Sequence, residues 1–359
     1  MAVTMYSRRG LVPVLLHALA ALAGGGPLSA QDPFASIDHL PQARSRVDER
    51  RGTLTIDLPT LAVAAGELLG TPLFRASIPF EMSLHAFAVQ VADDQGRIMP
   101  RDRLHHIVMT DPSRRQIFAP LALPIFGASK ESPTPSLPRY LFGLPLPASN
   151  RYLVSAMFQN PETRPVKLHV RLVFSFIRPG RLFPLVRVYP WLMDVTFPLG
   201  TGEGRHAFDL PPGHSSRSWA GSPRIAGTVI AIGGHAHDFV TAIRMVDVTT
   251  GDTVYNPRPS RDAGGRLLAI PVARFYRFYR LGIRIDPSHI YRLTVEYDNP
   301  TGATIPFGGM GSVMGLVAPS RRAPWPRVDT KDSIYRTQIR DLLDNPGARA
   351  MGHASHSMP

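Results

Sequence analysis

The chain has no cysteine in its 359 residues. This absence excludes disulfide bonds, thiolate-ligated zinc or iron–sulfur sites, a thiol nucleophile and a cysteine-linked lipid anchor. Any metal site must therefore use imidazole, thioether or carboxylate groups. The 13 histidines and 12 methionines supply the first two kinds of ligand, so the sequence directs attention to a metal site built from them.

Lysine is almost absent as well. The chain has Lys130, Lys167 and Lys331, and the rest of its 40 basic residues are arginines; against 27 acidic residues the formal net charge is +13. Such a charge favours contact with nucleic acids or anionic surfaces. No run of five or six basic residues and no nucleic-acid-binding motif accompanies it, so we predict no nucleic-acid partner and attribute the charge to composition and solubility.

Long hydrophobic runs are missing too. After residue 30 no stretch of eighteen apolar residues occurs, so no transmembrane segment is predicted in the mature chain. The apolar stretch 11–23 follows Arg8 and Arg9, and small residues precede a cleavage site after Ala30. This pattern is typical of a secretory signal peptide. We predict that residues 1–30 are removed and that the mature protein is secreted or periplasmic in a bacterium.

The remaining sequence consists of short β-branched or aromatic runs separated by proline and glycine. Residues 167–176 alternate between polar and apolar side chains, and turn signals lie between the runs. This pattern predicts an all-β protein with two tandem antiparallel β-sandwich domains of jelly-roll-like type. We place the N-terminal sandwich at 31–180, the C-terminal sandwich at 181–322, and a short helix with a tail that carries His and Met within 323–359.

Two further segments have distinct patterns. Residues 112–150 are rich in proline and leucine, and we expect an irregular excursion there. Residues 332–345 have apolar side chains at Ile334, Ile339, Leu342 and Leu343 and end in Asn-Pro-Gly, which predicts a short amphipathic helix.

A predicted strand at 224–233 continues into Gly233-Gly234-His235-Ala236-His237-Asp238. Two histidines separated by one residue on an extended chain point to the same face, so both imidazoles can reach one metal ion. The alternative is a pair of half-exposed histidines at a strand end, and the motif alone does not separate the two. Asp238 is either a hydrogen-bond partner of a ligand histidine or an ordinary turn carboxylate.

Met310 lies between glycines, in Gly308-Gly309-Met310-Gly311, where its neighbours in sequence give it no packing partner. A thioether is a soft ligand that selects copper, above all Cu(I). His235, His237 and Met310 would form a copper site with open positions for dioxygen. The alternative is a flexible core residue, which is the interpretation that we prefer for Met314.

His105 and His106 begin another predicted strand, 105–110. Adjacent residues of a regular strand point to opposite faces, so the two imidazoles can share a metal only at a strand end or a β-bulge. The pair taken alone favours two structural histidines.

The order of these features resembles that of the type II, ascorbate-dependent copper monooxygenases, the family of peptidylglycine alpha-hydroxylating monooxygenase and dopamine beta-monooxygenase. In the second sandwich, a strand leads to His235 and His237, further strands follow, and a Gly- and Thr-rich loop leads to Met310. The resemblance implies that these three residues bind the copper that activates dioxygen. It also implies that His105 and His106 bind the electron-donating copper, with ascorbate as the electron donor.

The resemblance covers most of residues 80–320 and is weaker in the first sandwich. The family's third ligand at the electron-donating copper is a histidine on a later strand, where this chain has Gln159. A neutral carboxamide is a poor copper ligand, so the second site is degenerate unless His85, Met157 or Met109 substitutes. The family's disulfide bridges are also missing, which fits a distant bacterial relative.

Three functions remain open on the sequence. The first is a copper-dependent monooxygenase that acts on a small-molecule or peptide substrate. The second is a non-catalytic protein that binds or buffers copper in the cell envelope. The third is a tandem β-sandwich that binds a partner without a metal. Beyond the copper ligands the sequence assigns no catalytic residue, and it sets neither the substrate nor the oligomeric state.

Overall fold

Strands dominate the structure, a computed structural model that describes residues 33–130, 136–180, 182–197, 207–277, 280–320 and 325–344. The predicted signal peptide and the tail beyond residue 344 lie outside the described residues. Within the described ranges, no helix is long and apolar enough to span a bilayer.

The first set of strands forms a two-layer sandwich. Its elements are α1 (Pro33–Asp38), β1 (Arg44–Asp48), β2 (Thr53–Asp57), β3 (Leu61–Val63), β4 (Leu68–Gly70), β5 (Phe74–Ile78), β6 (Met82–Asp93), β7 (Leu104–Arg115), β8 (Ala122–Ser129), β9 (Phe142–Leu146), β10 (Ser149–Gln159), β11 (Val166–Ile177) and β12 (Val186–Arg187). One sheet has the strand order β1-β2-β11-β6-β9-β12, with β3 beside β11. The other sheet has the order β4-β10-β7-β8, with β5 beside β10. The pairs are antiparallel except β9 with β12. Side chains from both sheets fill one core.

The second set repeats this architecture. Its strands are β13 (Tyr189–Asp194), β14 (Ala207–Leu210), β15 (Gly213–Gly221), β16 (Gly227–Ala236), β17 (Val240–Asp247), β18 (Thr253–Tyr255), β19 (Ser260–Arg261), β20 (Leu267–Ala269), β21 (Ala273–Arg274), β22 (Tyr276–Arg277), β23 (Arg280–Leu281), β24 (Ile283–Ile285), β25 (Tyr291–Asn299) and β26 (Ile305–Pro319). One sheet has the strand order β13-β26-β16-β21, with β14 beside β26 and β24 beside β16. The other sheet has the order β15-β25-β17-β18, and the pairs β19-β20 and β22-β23 form two small ribbons. Helix α2 (Ser333–Asp344) follows.

The all-β prediction, with two tandem antiparallel sandwiches and a short C-terminal helix, is confirmed. Alternation explains why the long strands form as they do: β11 and β25 place every second side chain in a core, as a half-buried strand does. Sheet pairing changes from the first set to the second between Arg187 and Tyr189. The boundaries at residues 180 and 322 stay predictions.

The expectation of an irregular segment at 112–150 is wrong, because β7 extends to Arg115 and β8 and β9 follow. All five residues of β9 and all but one of the eight residues of β8 are buried. A strand covered on both faces has a continuous apolar sequence without alternation. The proline- and leucine-rich composition therefore hid two strands, and β8 packs against β13 of the second sandwich.

Helix α2 matches the predicted helix to within one residue at each end. The Asp332 carboxylate accepts hydrogen bonds from the backbone N–H groups of Ile334 and Tyr335, at 2.8 and 3.2 Å, which is the arrangement of an N-cap. Tyr335 and Ile339 are buried against Ala122 of β8. The helix therefore packs on the first sandwich.

Both sandwiches contain the same Tyr-x7-Asn-Pro segment, Tyr152 to Asn160 on β10 and Tyr291 to Asn299 on β25. The hydroxyl of each buried tyrosine bonds a backbone group five residues earlier in the chain. Each asparagine donates from Nδ2 to the carbonyl four residues later and accepts at Oδ1 from the N–H two residues later. The corner after the long strand is thus built in the same way in each sandwich.

Asn160 supports its corner with every polar atom it has. Its Nδ2 donates to the carbonyls of Val63, Ala64 and Arg164, and its Oδ1 accepts from Arg103 at 3.0 Å. We expect Asn160→Ala to lower the free energy of unfolding by roughly 2–4 kcal/mol, because it leaves several buried polar groups without partners. Denaturant unfolding measures this loss. Asn150→Ala, at an exposed position, is the control and should change stability by less than about 0.5 kcal/mol; equal effects would contradict the assignment.

Candidate metal centre

A β-bulge brings His105 and His106 to the same side of their sheet. On β10, Met157 pairs with His106 and the next residue, Phe158, pairs with Leu104, so the register shifts at His105. A bulge of this kind sets two residues opposite one and changes the direction of their side chains. The two Nδ1 atoms lie 3.0 Å apart. The structure therefore has the β-bulge that two adjacent histidines need if they are to face the same metal ion.

His235 and His237 lie at the end of β16. His235 pairs with Ser312 and Ala236 with Gly311 on β26, and continuing that register places His237 opposite Met310. The ring centroids of His235 and His237 are 5.6 Å apart. The extended chain therefore places both imidazoles on one side, next to each other, as the His-x-His spacing predicts.

The buried hydroxyl of Tyr297 joins His237 to Met310. It accepts hydrogen bonds from the N–H of His237 at 3.1 Å and of Met310 at 3.0 Å, and it donates to the carbonyl oxygen of Met310. One donor and two acceptor positions are the full capacity of a phenol. Burial raises the pKa of Tyr297 above its ordinary value, so the hydroxyl keeps its proton. Sequence reasoning missed this residue, although the alternation of β25 places it on the inward face.

The two histidine pairs meet across the sandwiches. The ring of His105 lies 5.1 Å from that of His106 and 5.6 Å from that of His237, measured between centroids. The four rings form a row in the order His106, His105, His237, His235. The sequence treats the pairs as two copper sites, whereas the structure joins them in one cluster, here called the histidine row.

Burial lowers the pKa of His105, one of the two inner rings of this row. It holds the pKa of His105 well below the ordinary value, and the neighbouring His106, His237 and His235 and the Lys130 ammonium lower it further. A neutral imidazole is the form that binds a metal ion. His105 therefore stands ready as a ligand without first losing a proton.

Asp238 supports the turn after His237. Its carboxylate accepts a hydrogen bond from the backbone N–H of Leu267 at 2.9 Å and lies 4.0 Å from the Lys130 ammonium. These contacts favour the turn carboxylate over the partner of a ligand histidine. They also connect the end of β8 in the first sandwich with the site-bearing loop of the second.

The row fits pairwise metal binding. An imidazole nitrogen lies about 2.0–2.1 Å from a bound ion, so two rings on one tetrahedral ion have centroids about 5 Å apart, which is close to the observed 5.1 and 5.6 Å. Among the described residues, no group of three or more His, Asp or Glu side chains is arranged to hold an ion. A metal here would therefore need a further ligand such as a thioether or a small rearrangement of the rings.

Two methionines that line the cavity have the thioether group that such a further ligand would need. Met310 lines the same cavity as the four histidines, and so does Met157, the cross-strand partner of His106. His85 also lines it. Gln159 instead pairs with Leu68 on the neighbouring strand, and Met109 is buried in the first core. Of the three substitutes that the sequence suggests, Met157 is therefore the cross-strand neighbour of His106.

The cavity around these residues has a volume of about 850 Å³. Both sandwiches and α2 contribute to its wall, and most of the lining is apolar. Met314 belongs to this lining. The fold and the site together define a two-sandwich β-protein with a histidine row in the wall of a large apolar cavity.

No protein-family model matches the sequence, and no curated protein matches it. Among solved structures, the major capsid protein P2 of bacteriophage PM2 aligns with 76% of this chain and 100% of its own, at 11% identity and a TM-score of 0.32. A chain of Sulfolobus Turreted Icosahedral Virus aligns with 71% of this chain and 59% of its own, at 9% identity and a TM-score of 0.17. The PBSX exported protein XepA aligns with 76% of this chain and 88% of its own, at 9% identity and a TM-score of 0.18. Similarities at these TM-scores carry no argument about function, and the resemblance to copper monooxygenases stays a prediction.

Proposed function

We propose that this protein is an exported copper-binding protein that holds the metal with the histidine row and with Met310. The observation that supports the proposal is the meeting of four imidazoles, contributed by two sandwiches, in the wall of one cavity. Imidazole and thioether groups together favour copper over the hard cations, which prefer oxygen ligands. Export is inferred from the N-terminal segment of the sequence.

The chain contributes position and environment to such a site. The bulge in β7 orients His105 and His106, and the Tyr297 hydroxyl fixes the backbone of His237 relative to Met310. Bound copper would supply redox chemistry and a binding position for dioxygen.

A monooxygenase is the second candidate, and the cavity favours it. A pocket of about 850 Å³ lies in the size range of sites for small organic molecules. A substrate in that pocket would lie beside the histidine row, as oxidation of a C–H bond at a metal requires. A protein that merely stores copper has no need for such a space.

Copper loading tests the proposal. The purified chain is equilibrated with Cu(II), or with Cu(I) under ascorbate, desalted, and analysed for metal content. We expect one copper per chain if the pairs share an ion and two if each pair binds its own. Less than about 0.2 copper per chain in both states would contradict the proposal. His214→Ala, in which an exposed histidine of β15 is removed, should leave the copper content unchanged.

Oxygen uptake then separates the two candidates. The copper-loaded chain is supplied with ascorbate, and dissolved oxygen is followed with an electrode. Uptake above that of an equal concentration of free copper, and lost in a variant without His237, supports the monooxygenase. Full copper content without such uptake supports the envelope copper-binding protein.

A further inference from the structure

The wall of the cavity has no arginine or lysine side chain among the described residues. The chain has 40 arginines and lysines in 359 residues, yet none of them lines the cavity in the part of the chain that the structure describes. Glutamate is likewise absent from this described lining, whose acidic members are Asp194 and Asp341. Arginine and lysine are thus common in the sequence and missing from the described part of the lining, whose basic side chains are histidines.

The two acidic side chains of the described lining, Asp194 and Asp341, do not attract an anion either. Both side-chain contacts of Asp194 within its turn come from Thr196, whose N–H and hydroxyl donate to Oδ1 at 2.8 and 2.6 Å. Asp341 belongs to α2, together with Leu342, which also lines the cavity. Neither carboxylate can pair with a carboxylate of a ligand.

Three small or apolar residues lie in a row across adjacent strands and line the cavity; they are here called its floor. Ser155 of β10 pairs with Val108 of β7, which pairs with Gly127 of β8. All three line the cavity, and so does Met314 of the second sandwich. A Cβ at Gly127 would lie 3.4 Å from the methyl carbon of Met314. The two sandwiches therefore approach each other here, and even a Cβ at position 127 would contact the second sandwich.

We propose that this cavity binds a neutral, apolar small molecule and discriminates against carboxylates. Burying an ionised group without a counterion is costly, and no arginine or lysine of the described lining offers one. Apolar lining with a few polar groups is the usual chemistry of small-molecule pockets. Only the role of this molecule as a substrate rests on the proposed function. Within that function, the molecule would be the compound oxidised, and a peptide with a free carboxylate would be disfavoured.

Binding of a small molecule to the cavity is tested on metal-free protein, so that a failure to bind the probe is distinguished from a failure to bind copper. The chelator-treated chain is titrated with the neutral fluorophore N-phenyl-1-naphthylamine, which is then displaced with 1-dodecanol, dodecanoate or dodecylamine at pH 8. We expect saturable binding of one fluorophore per chain, with 1-dodecanol displacing it at a concentration at least tenfold lower than dodecanoate. Absence of saturable binding, or displacement by dodecanoate or dodecylamine at the lower concentration, would overturn the proposal.

Two substitutions locate the bound probe. Gly127→Leu and Val108→Phe fill the floor of the cavity from neighbouring strands, and each should weaken probe binding at least tenfold. Gly180→Leu is the matched control, because its added Cβ meets nothing within 4 Å, and it should bind like the parent. Near-ultraviolet circular dichroism shows which variants are folded. Unchanged binding in a folded floor variant would overturn the assignment of this cavity.

Discussion

Replacing His237 with alanine is expected to reduce copper affinity at least about 100-fold, more than is typical for loss of an outer partner of a ligand. Its ring is in contact with both His105 and His235, so the substitution interrupts the histidine row in the middle. The measurement is competition for Cu(I) with a chromophoric chelator, and for Cu(II) with a second one. His214→Ala provides the surface control.

The same experiment with His105→Ala asks whether the row acts as one site. If imidazoles of both sandwiches hold the copper together, His105→Ala lowers affinity at the His235 end as well. If the pairs are independent, one class of copper is lost and the other keeps its affinity. Parent-like affinity and content in both His237→Ala and His105→Ala would contradict copper binding by this cluster.

The sequence predicts those parts of the fold in which one face of a strand is buried. In β11 and β25 the alternation of apolar side chains is plain, and their periodicity is a property of the local chain. In β8 and β9 it is lost, since both faces are covered. What covers them is the rest of the molecule, which local composition does not reveal.

The candidate site likewise has features that the local sequence predicts and features that depend on distant strands. The His-x-His spacing is local, and it correctly brings His235 and His237 to one cavity. The cooperation of His105 and His106 depends on a register shift between two strands. The regular register before that shift pairs Met157 with His106, and the pairing of β10 with β7 ends at Phe158, one residue before Gln159. Register between strands is set by partners distant in sequence, so the sequence could propose a substitute ligand without selecting it.

The repeated Tyr-x7-Asn-Pro segment was available in the sequence and indicates where each long strand ends. Aligning the two copies would have marked β10 and β25 as corresponding strands. It would not have shown the role of Tyr297, because the partners of its hydroxyl lie on β26 and after β16. That role follows from the packing of two sheets.

Removing that hydroxyl is the second large effect that we expect. Tyr297→Phe keeps the ring in the core but removes three hydrogen bonds, to the N–H of His237 and to the N–H and carbonyl of Met310. Because these backbone groups are then left in a buried place, the free energy of unfolding should fall by roughly 2–4 kcal/mol. Copper affinity should fall about 10- to 100-fold, the usual effect of losing a group that positions metal ligands.

Tyr152→Phe is the matched control for this prediction. Tyr152 is equally buried, and its hydroxyl makes one hydrogen bond, to the carbonyl of Pro147 at 2.9 Å. Its loss should cost about 1 kcal/mol of stability and leave copper affinity unchanged. If Tyr297→Phe lowered stability but bound copper like the parent, the hydroxyl would serve the fold alone. If both variants lost affinity equally, the loss would follow from general destabilisation, because the two hydroxyls differ in the backbone they hold: Tyr297 fixes His237 and Met310, whereas Tyr152 fixes a turn outside the histidine row.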